Sequence, residues 1–148
     1  MTLEAILAAF HLLAILTFVV FLSSQAALCR IEWLNAAVVE RLARLDVISC
    51  VAGAVMIGSG LARLIWGVKG ASWYLSQPLF HIKITIVVVM AILSIWPSIM
   101  FRRWRRNLQA SGALPDELEV KKVRRLVMIQ SHVLPVVAVI AVFWARGW

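Results

Sequence analysis

At 148 residues, with 63% hydrophobic and only 15% charged side chains, the chain is far more apolar than a soluble domain, which carries about 45–50% apolar and 25% charged residues. That balance excludes a water-soluble globule and marks a single integral membrane domain over residues 1–148. The formal net charge of +8 gathers beside apolar segments, as flanking charge does in a membrane protein, so no nucleic-acid partner is expected.

A membrane span needs roughly 20 apolar residues. Four segments qualify, 3–28, 47–68, 79–100 and 126–144, which predicts an all-α, four-helix integral membrane bundle in a lipid bilayer. The first segment runs into Ser23-Ser24-Gln25-Ala26-Ala27 as a secretory leader would. It lacks a basic start, carries Glu4, and exceeds the roughly 7–15 apolar residues of a leader, so it reads as a true span. Glu4, His11 and Gln25 are spaced by multiples of seven and share a face that must point into the bundle. Cys29 and Cys50 show no CxxC or metal-ligand spacing and read as packing residues.

Between the first two spans, Trp33, Ala37 and Glu40 follow helical spacing, which predicts a short interfacial helix over Arg30 to Arg44. In the second span Gly53, Gly60 and Gly67 share one face, with Ala54, Gly58 and Ala62 as a small-residue ladder beside it. Such faces admit a close helix neighbour, with room for a flat cofactor as the alternative. The connection from Gly67 to Pro78 is short, and Trp66, Trp73 and Tyr74 fit an aromatic belt. The third span opens with His81 and Lys83. After it come Ser111-Gly112-Ala113-Leu114-Pro115-Asp116-Glu117, a turn and acidic start that predict a helix beginning near Asp116. In the fourth span Gln130, Ser131 and His132 precede Pro135, whose ring frees the Ser131 carbonyl; a local polar network repairing that break makes His132 structural.

Arg102, Arg103, Arg105, Arg106, Lys121, Lys122, Arg124 and Arg125 place eight of the fifteen basic residues in or beside one connection. Arg30, Arg41 and Arg44 lie between spans one and two, on the same side if every segment crosses. The positive-inside rule then puts both basic loops in the cytoplasm and both termini outside, in the periplasm of a bacterial inner membrane.

Three of the four spans carry a histidine, and the chain has no others. Ionisable groups in a bilayer are costly and mark function by default. Taking the middle of each span as the bilayer centre, His11 lies roughly 7 Å outward, Arg63 about 8 Å, Lys83 about 10 Å and His81 about 13 Å, with His132 about 5 Å inward. A divalent metal site would add carboxylates or thiolates, and a proton relay would want acids within the spans. Haem needs one or two axial imidazoles, small residues beside the ring and cations for the propionates. His11 and His81 as iron ligands, with Arg63, Lys69 or Lys83 near the propionates, meet that list. A structural hydrogen bond for His11 and an interfacial place for His81 stand as the alternatives.

Ala9-Phe10-His11-Leu12-Leu13, the glycine-bearing stretch from Arg41 to Arg63, the run from Tyr74 to Lys83, Ser94-Ile95-Trp96-Pro97 and Ala145-Arg146-Gly147 together resemble a family of small bacterial four-helix inner-membrane proteins of unknown function. More distantly, a histidine midway through the first span and a third span opening with His-x-Lys look like the HemJ-type protoporphyrinogen oxidases, membrane proteins that bind haem b. That resemblance implies His11 as an axial ligand or essential histidine, with His81 and Lys83 as the His-x-Lys pair. The fourth span departs from that family, carrying Gln130-Ser131-His132 before Pro135 in place of an Asn-Glu-x-Pro element. The expectation is a haem-b-binding membrane protein of electron-transfer or HemJ-like oxidoreductase function, packed with further copies of itself and served by a redox partner. The competing expectation is a non-enzymatic membrane protein, a small transporter subunit or assembly partner, with structural histidines.

The charge distribution makes a direct topological prediction. A reporter fused after Trp148 reads as periplasmic and one inserted near Gly112 as cytoplasmic; the reverse pattern would invert every depth given above.

Overall fold

The structure, a computed structural model, describes residues 2–67 and 70–145. Four long helices carry it: α1 (Thr2–Leu28), α2 (Ala36–Trp66), α4 (Pro78–Ser111) and α5 (Glu117–Ala145), with a short α3 (Gly70–Leu75) before α4. All four long helices are long and apolar enough to cross a bilayer. The expected all-α membrane bundle is therefore what the chain forms.

Helix ends follow from local chemistry more than from hydropathy. The anticipated interfacial helix over Arg30 to Arg44 is instead a single 3-10 turn, Ile31–Trp33, followed by one continuous helix. Asn35 explains the break: its side chain accepts the Val38 N–H at 3.0 Å and starts α2 eleven residues before the apolar segment begins. Proline opens α4 at Pro78, and Gly112 ends it with φ 71°, a left-handed conformation that closes the Leu108 carbonyl. Asp116 accepts the Leu118 N–H at 3.0 Å and starts α5 where the sequence placed it. At 34 residues, α4 is about 51 Å long, so roughly 20 Å of it lies beyond a 30 Å hydrocarbon layer.

That overhang positions the core. Leu22, Cys29, Leu42, Phe101, Trp104 and Val123 are buried together at the end where both basic loops gather. Trp104, only 1% exposed, meets Phe101 edge-on at 5.5 Å between ring centroids and donates its indole N–H to Glu119 at 3.0 Å. Glu40 ties α2 to α4 by accepting from Arg105 at 2.9 Å and Gln109 at 2.9 Å. Arg30 stacks over Trp33 at 4.9 Å. Toward the other end burial thins to small or polar contacts such as Ala14, Ala52 and Ser59.

In that thinner half, α1 lies along α2 by fitting side chains onto glycines. Phe18 packs at 3.4 Å from where a Gly53 Cβ would stand, and His11 at 3.3 Å from the same point on Gly60. Gly67 does not continue this face: it ends α2, with its N–H on the Arg63 carbonyl. A Cβ at Gly58 would meet nothing within 4 Å, so the neighbouring small-residue ladder receives no helix there.

Two substitutions test this division. Trp104→Ala removes the largest core side chain and is expected to cost about 3–5 kcal/mol, read as a lower melting temperature in detergent. Gly60→Leu is expected to lower the melting temperature by displacing the His11 ring, a cost of about 1–3 kcal/mol, whereas Gly58→Leu leaves it unchanged. Equal melting of the two glycine variants would overturn the placement of α1 on α2.

Candidate functional site

Polar side chains inside the bundle fall into two clusters on the face that α2 turns to α1 and α4. In the thinner half, His11 Nδ1 lies 2.8 Å from Ser59 Oγ. The Ser59 hydroxyl donates its own hydrogen to the Met56 carbonyl at 3.1 Å. With that hydrogen on Met56, the Ser59 oxygen accepts from His11 Nδ1–H, the tautomer in which Nε2 keeps its lone pair. Lys83 on α4 and Arg63 on α2 are the cations whose fields reach this ring. Arg63 Nε is buried and has no hydrogen-bond partner among the described residues.

His81 is placed differently. It is exposed, and its Nε2–H donates to the Leu75 carbonyl of α3 at 2.8 Å, beside the ring of Phe80. Leu75 is the last residue of α3, so this bond satisfies a terminal carbonyl that has no helical partner. His11 and His81 are therefore each held by a different element. Lys69, the third cation considered for the propionates, lies outside the described residues, as does Arg146. Among the described residues no three of His, Cys, Asp and Glu gather as a metal ion would require.

His132 is exposed and donates from Nδ1 to Met128 O at 2.7 Å, and Ser131 donates to the same carbonyl at 2.9 Å. The local network expected around Pro135 is present, but it serves Met128 and not the Ser131 carbonyl that proline frees. Gln130 stands apart from it, fully buried on another face of α5.

The second cluster escaped the sequence reading. Asp46, 3% exposed, accepts the Ser98 hydroxyl at 2.6 Å and lies 3.8 Å from Arg102 Nε. A hydroxyl on a carboxylate at that length is a charge-assisted bond. Cys50 extends the group, its sulfur 3.6 Å from Ser98 Oγ, while Gln25 donates to Ser49 at 3.1 Å next to it. Of the three polar residues that share a face of α1, His11 and Gln25 both point at α2. Asp46, Ser49, Gly53, Gly60 and Arg63 recur at three-, four- and seven-residue intervals, so one face of α2 runs through the boundary that hydropathy draws at Val47. Cys29 belongs to the core instead, and burial pushes its thiol up to about 12, so it stays a protonated packing group.

Between Ser49 and Ser59, about 15 Å of helix carries Ala52, Gly53 and Met56 with Phe18 packed against it. The two clusters are separate sites and do not form one polar path across the bundle. The outer one holds a serine-anchored imidazole within the fields of Lys83 and Arg63. The inner one is a carboxylate locked to α4.

No curated protein and no solved structure matches the chain. A family model described as "Predicted membrane protein (DUF2214)" matches residues 3–148, nearly the whole chain, and the chain accordingly belongs to that family of membrane proteins.

Proposed function

We propose that the chain binds haem b at the outer cluster, with His11 as an axial ligand, and serves electron transfer or a HemJ-like oxidation. The observation that supports this reading is the Ser59 anchor on His11 Nδ1. Metal-ligating histidines characteristically donate their second ring N–H to a fixed partner, which sets the tautomer and aims the other nitrogen at the metal. Arg63 and Lys83 would pair with the propionates, a role that the buried, unpartnered Arg63 Nε supports. The fit is incomplete at His81, whose Nε2 is committed to Leu75, and at Gly53 and Gly60, where Phe18 and His11 fill the space a flat ring would use. His11 and the two cations would hold the group, and bound haem would supply one-electron chemistry.

In this reading the protein is a multi-pass component of a bacterial inner membrane with both termini periplasmic. The gathering of Glu40, Asp46 and their arginine partners at one end supports it, because it puts the two basic loops on one side. The free Gly58 face would meet further copies of the chain.

The second reading, a non-enzymatic transporter subunit or assembly partner with structural histidines, is favoured by one feature. His81 and His132, two of the three histidines, are exposed and each is held on a backbone carbonyl near it in the chain, apart from His11.

A visible absorption spectrum of protein purified after expression with ample haem separates the two. The haem reading expects a Soret band with reducible haem bands, lost in His11→Ala and unchanged in His132→Ala. Ser59→Ala should weaken haem affinity about 10–100-fold by releasing the ring, and Lys83→Ala should loosen haem without abolishing it. A colourless wild-type protein, or a wild-type spectrum in His11→Ala, would sink the proposal.

A further inference from the structure

Cations at the basic end differ in whether an acid meets them. Arg102, Arg103, Arg105 and Lys121 each stand within 2.9–3.8 Å of a carboxylate oxygen. Arg41 and Arg44 are exposed and have no acid partner among the described residues. The nearest carboxylates on α2 are turned away from them: Glu40 accepts from Arg105 and Gln109 of α4, and Asp46 from Ser98. Arg44 returns only its Nε to the Glu40 carbonyl, at 3.4 Å, so its terminal nitrogens remain without a partner among the described residues.

The two arginines share a shallow cleft of about 360 Å³ with Leu45 and Ile48. These four positions follow the i, i+3, i+4, i+7 pattern of one helical stripe, and it lies on the side of α2 opposite Leu42, Asp46 and Ser49, which are buried within the bundle. The stripe therefore faces lipid. With the middle of residues 47–68 as the bilayer centre, Ile48 lies about 14 Å from it, Arg44 about 20 Å and Arg41 about 25 Å. Hydrocarbon ends at about 15 Å and the headgroup layer at about 20–22 Å. The cleft thus runs from the edge of the hydrocarbon, at Ile48, to the outer edge of the headgroups, at Arg41.

We infer that this cleft holds an anionic phospholipid of the phosphatidylglycerol class, its phosphodiester on Arg41 and Arg44 and the start of an acyl chain over Leu45 and Ile48. Three features select that occupant. Guanidinium groups bind phosphate oxygens by paired, charge-assisted hydrogen bonds. The aliphatic floor at the hydrocarbon edge favours a phosphate that carries acyl chains over a soluble one. A zwitterionic headgroup would bring an ammonium beside two guanidinium groups, where Glu40 and Asp46 are already committed to α4, so a net negative headgroup is preferred.

The test uses the full chain purified in dodecyl maltoside without haem, which makes it independent of the haem reading. Native mass spectrometry counts lipid retained after equimolar addition of dioleoylphosphatidylglycerol and dioleoylphosphatidylethanolamine. Wild type should keep one phosphatidylglycerol per chain with about tenfold preference, and equimolar sn-glycerol 3-phosphate should not displace it. The double variant Arg41→Gln, Arg44→Gln should melt as wild type does and lose the preference, since each basic residue near the surface contributes to anionic-lipid attraction. Arg106→Gln with Lys122→Gln removes the same charge from exposed cations outside the cleft and should keep it. The inference is overturned by equal retention of the two lipids in wild type, by equal losses in the two double variants, or by displacement with the glycerol phosphate, which would make the site one for a soluble phosphate ester. Should the first double variant fail to fold, Arg44→Gln alone decides, with a loss of about threefold expected and no loss overturning the assignment.

Discussion

The contact on which the rest of the molecule depends is the burial of Trp104 and its neighbours at the basic end. Within lipid, apolar side chains gain little by leaving the hydrocarbon for each other, so helices there must rely on close fit and hydrogen bonds. Where helices overhang the bilayer, water returns and apolar burial again drives association. The chain exploits this by extending α2, α4 and α5 well beyond the apolar segments. Leu42, Phe101, Trp104, Val120 and Val123 can then form a core of the soluble kind, fenced by Glu40, Glu119 and their arginine partners.

The consequence is a bundle with two regimes along its length. The watered end is fixed by burial and ion pairs, and the lipid-embedded end by single fits such as Phe18 on Gly53 and by isolated bonds such as His11 to Ser59. Asp46 and Ser98 stand between the regimes. Ser98 directly follows Pro97, which breaks the α4 hydrogen-bond ladder. The Asp46 carboxylate therefore fastens α2 to α4 next to the turn of α4 that lacks a backbone bond.

The sequence reveals what depends on length and periodicity. Apolar runs place the four spans, the heptad spacing of His11 and Gln25 finds the face of α1 that meets α2, and the acidic residues at Asp116 locate the start of α5. What remains hidden depends on partners remote in the chain. A hydropathy window stops at Asp46 because it counts the carboxylate as outside the membrane, yet Ser98, 52 residues away, makes its burial tolerable. Gly67 fits the heptad of Gly53 and Gly60 but serves as a helix end, a distinction set by the backbone after Trp66 and not by spacing. The sequence also makes His11 and His81 look alike, and only their partners, Ser59 and the Leu75 carbonyl, separate them.

Most small polar groups within the spans meet their hydrogen-bonding needs locally, and the exceptions are few. Within the spans, Thr17, Ser24, Thr85, Ser94, Ser131 and His132 all return a donor to a carbonyl of their own helix, the usual way for a small polar group to exist in hydrocarbon. Arg63 Nε and Gln130 Nε2 do not. Asp46 Oδ2 at least has the Arg102 charge beside it. A membrane protein retains a buried donor without a partner at the expense of stability, and the two examples lie in different places. Arg63 lies away from the Trp104 core, whereas Gln130 sits one helical turn from Val127, at the edge of that core. The division of regimes thus separates the burial that holds the bundle together from the single fits and isolated hydrogen bonds that align its helices within the lipid.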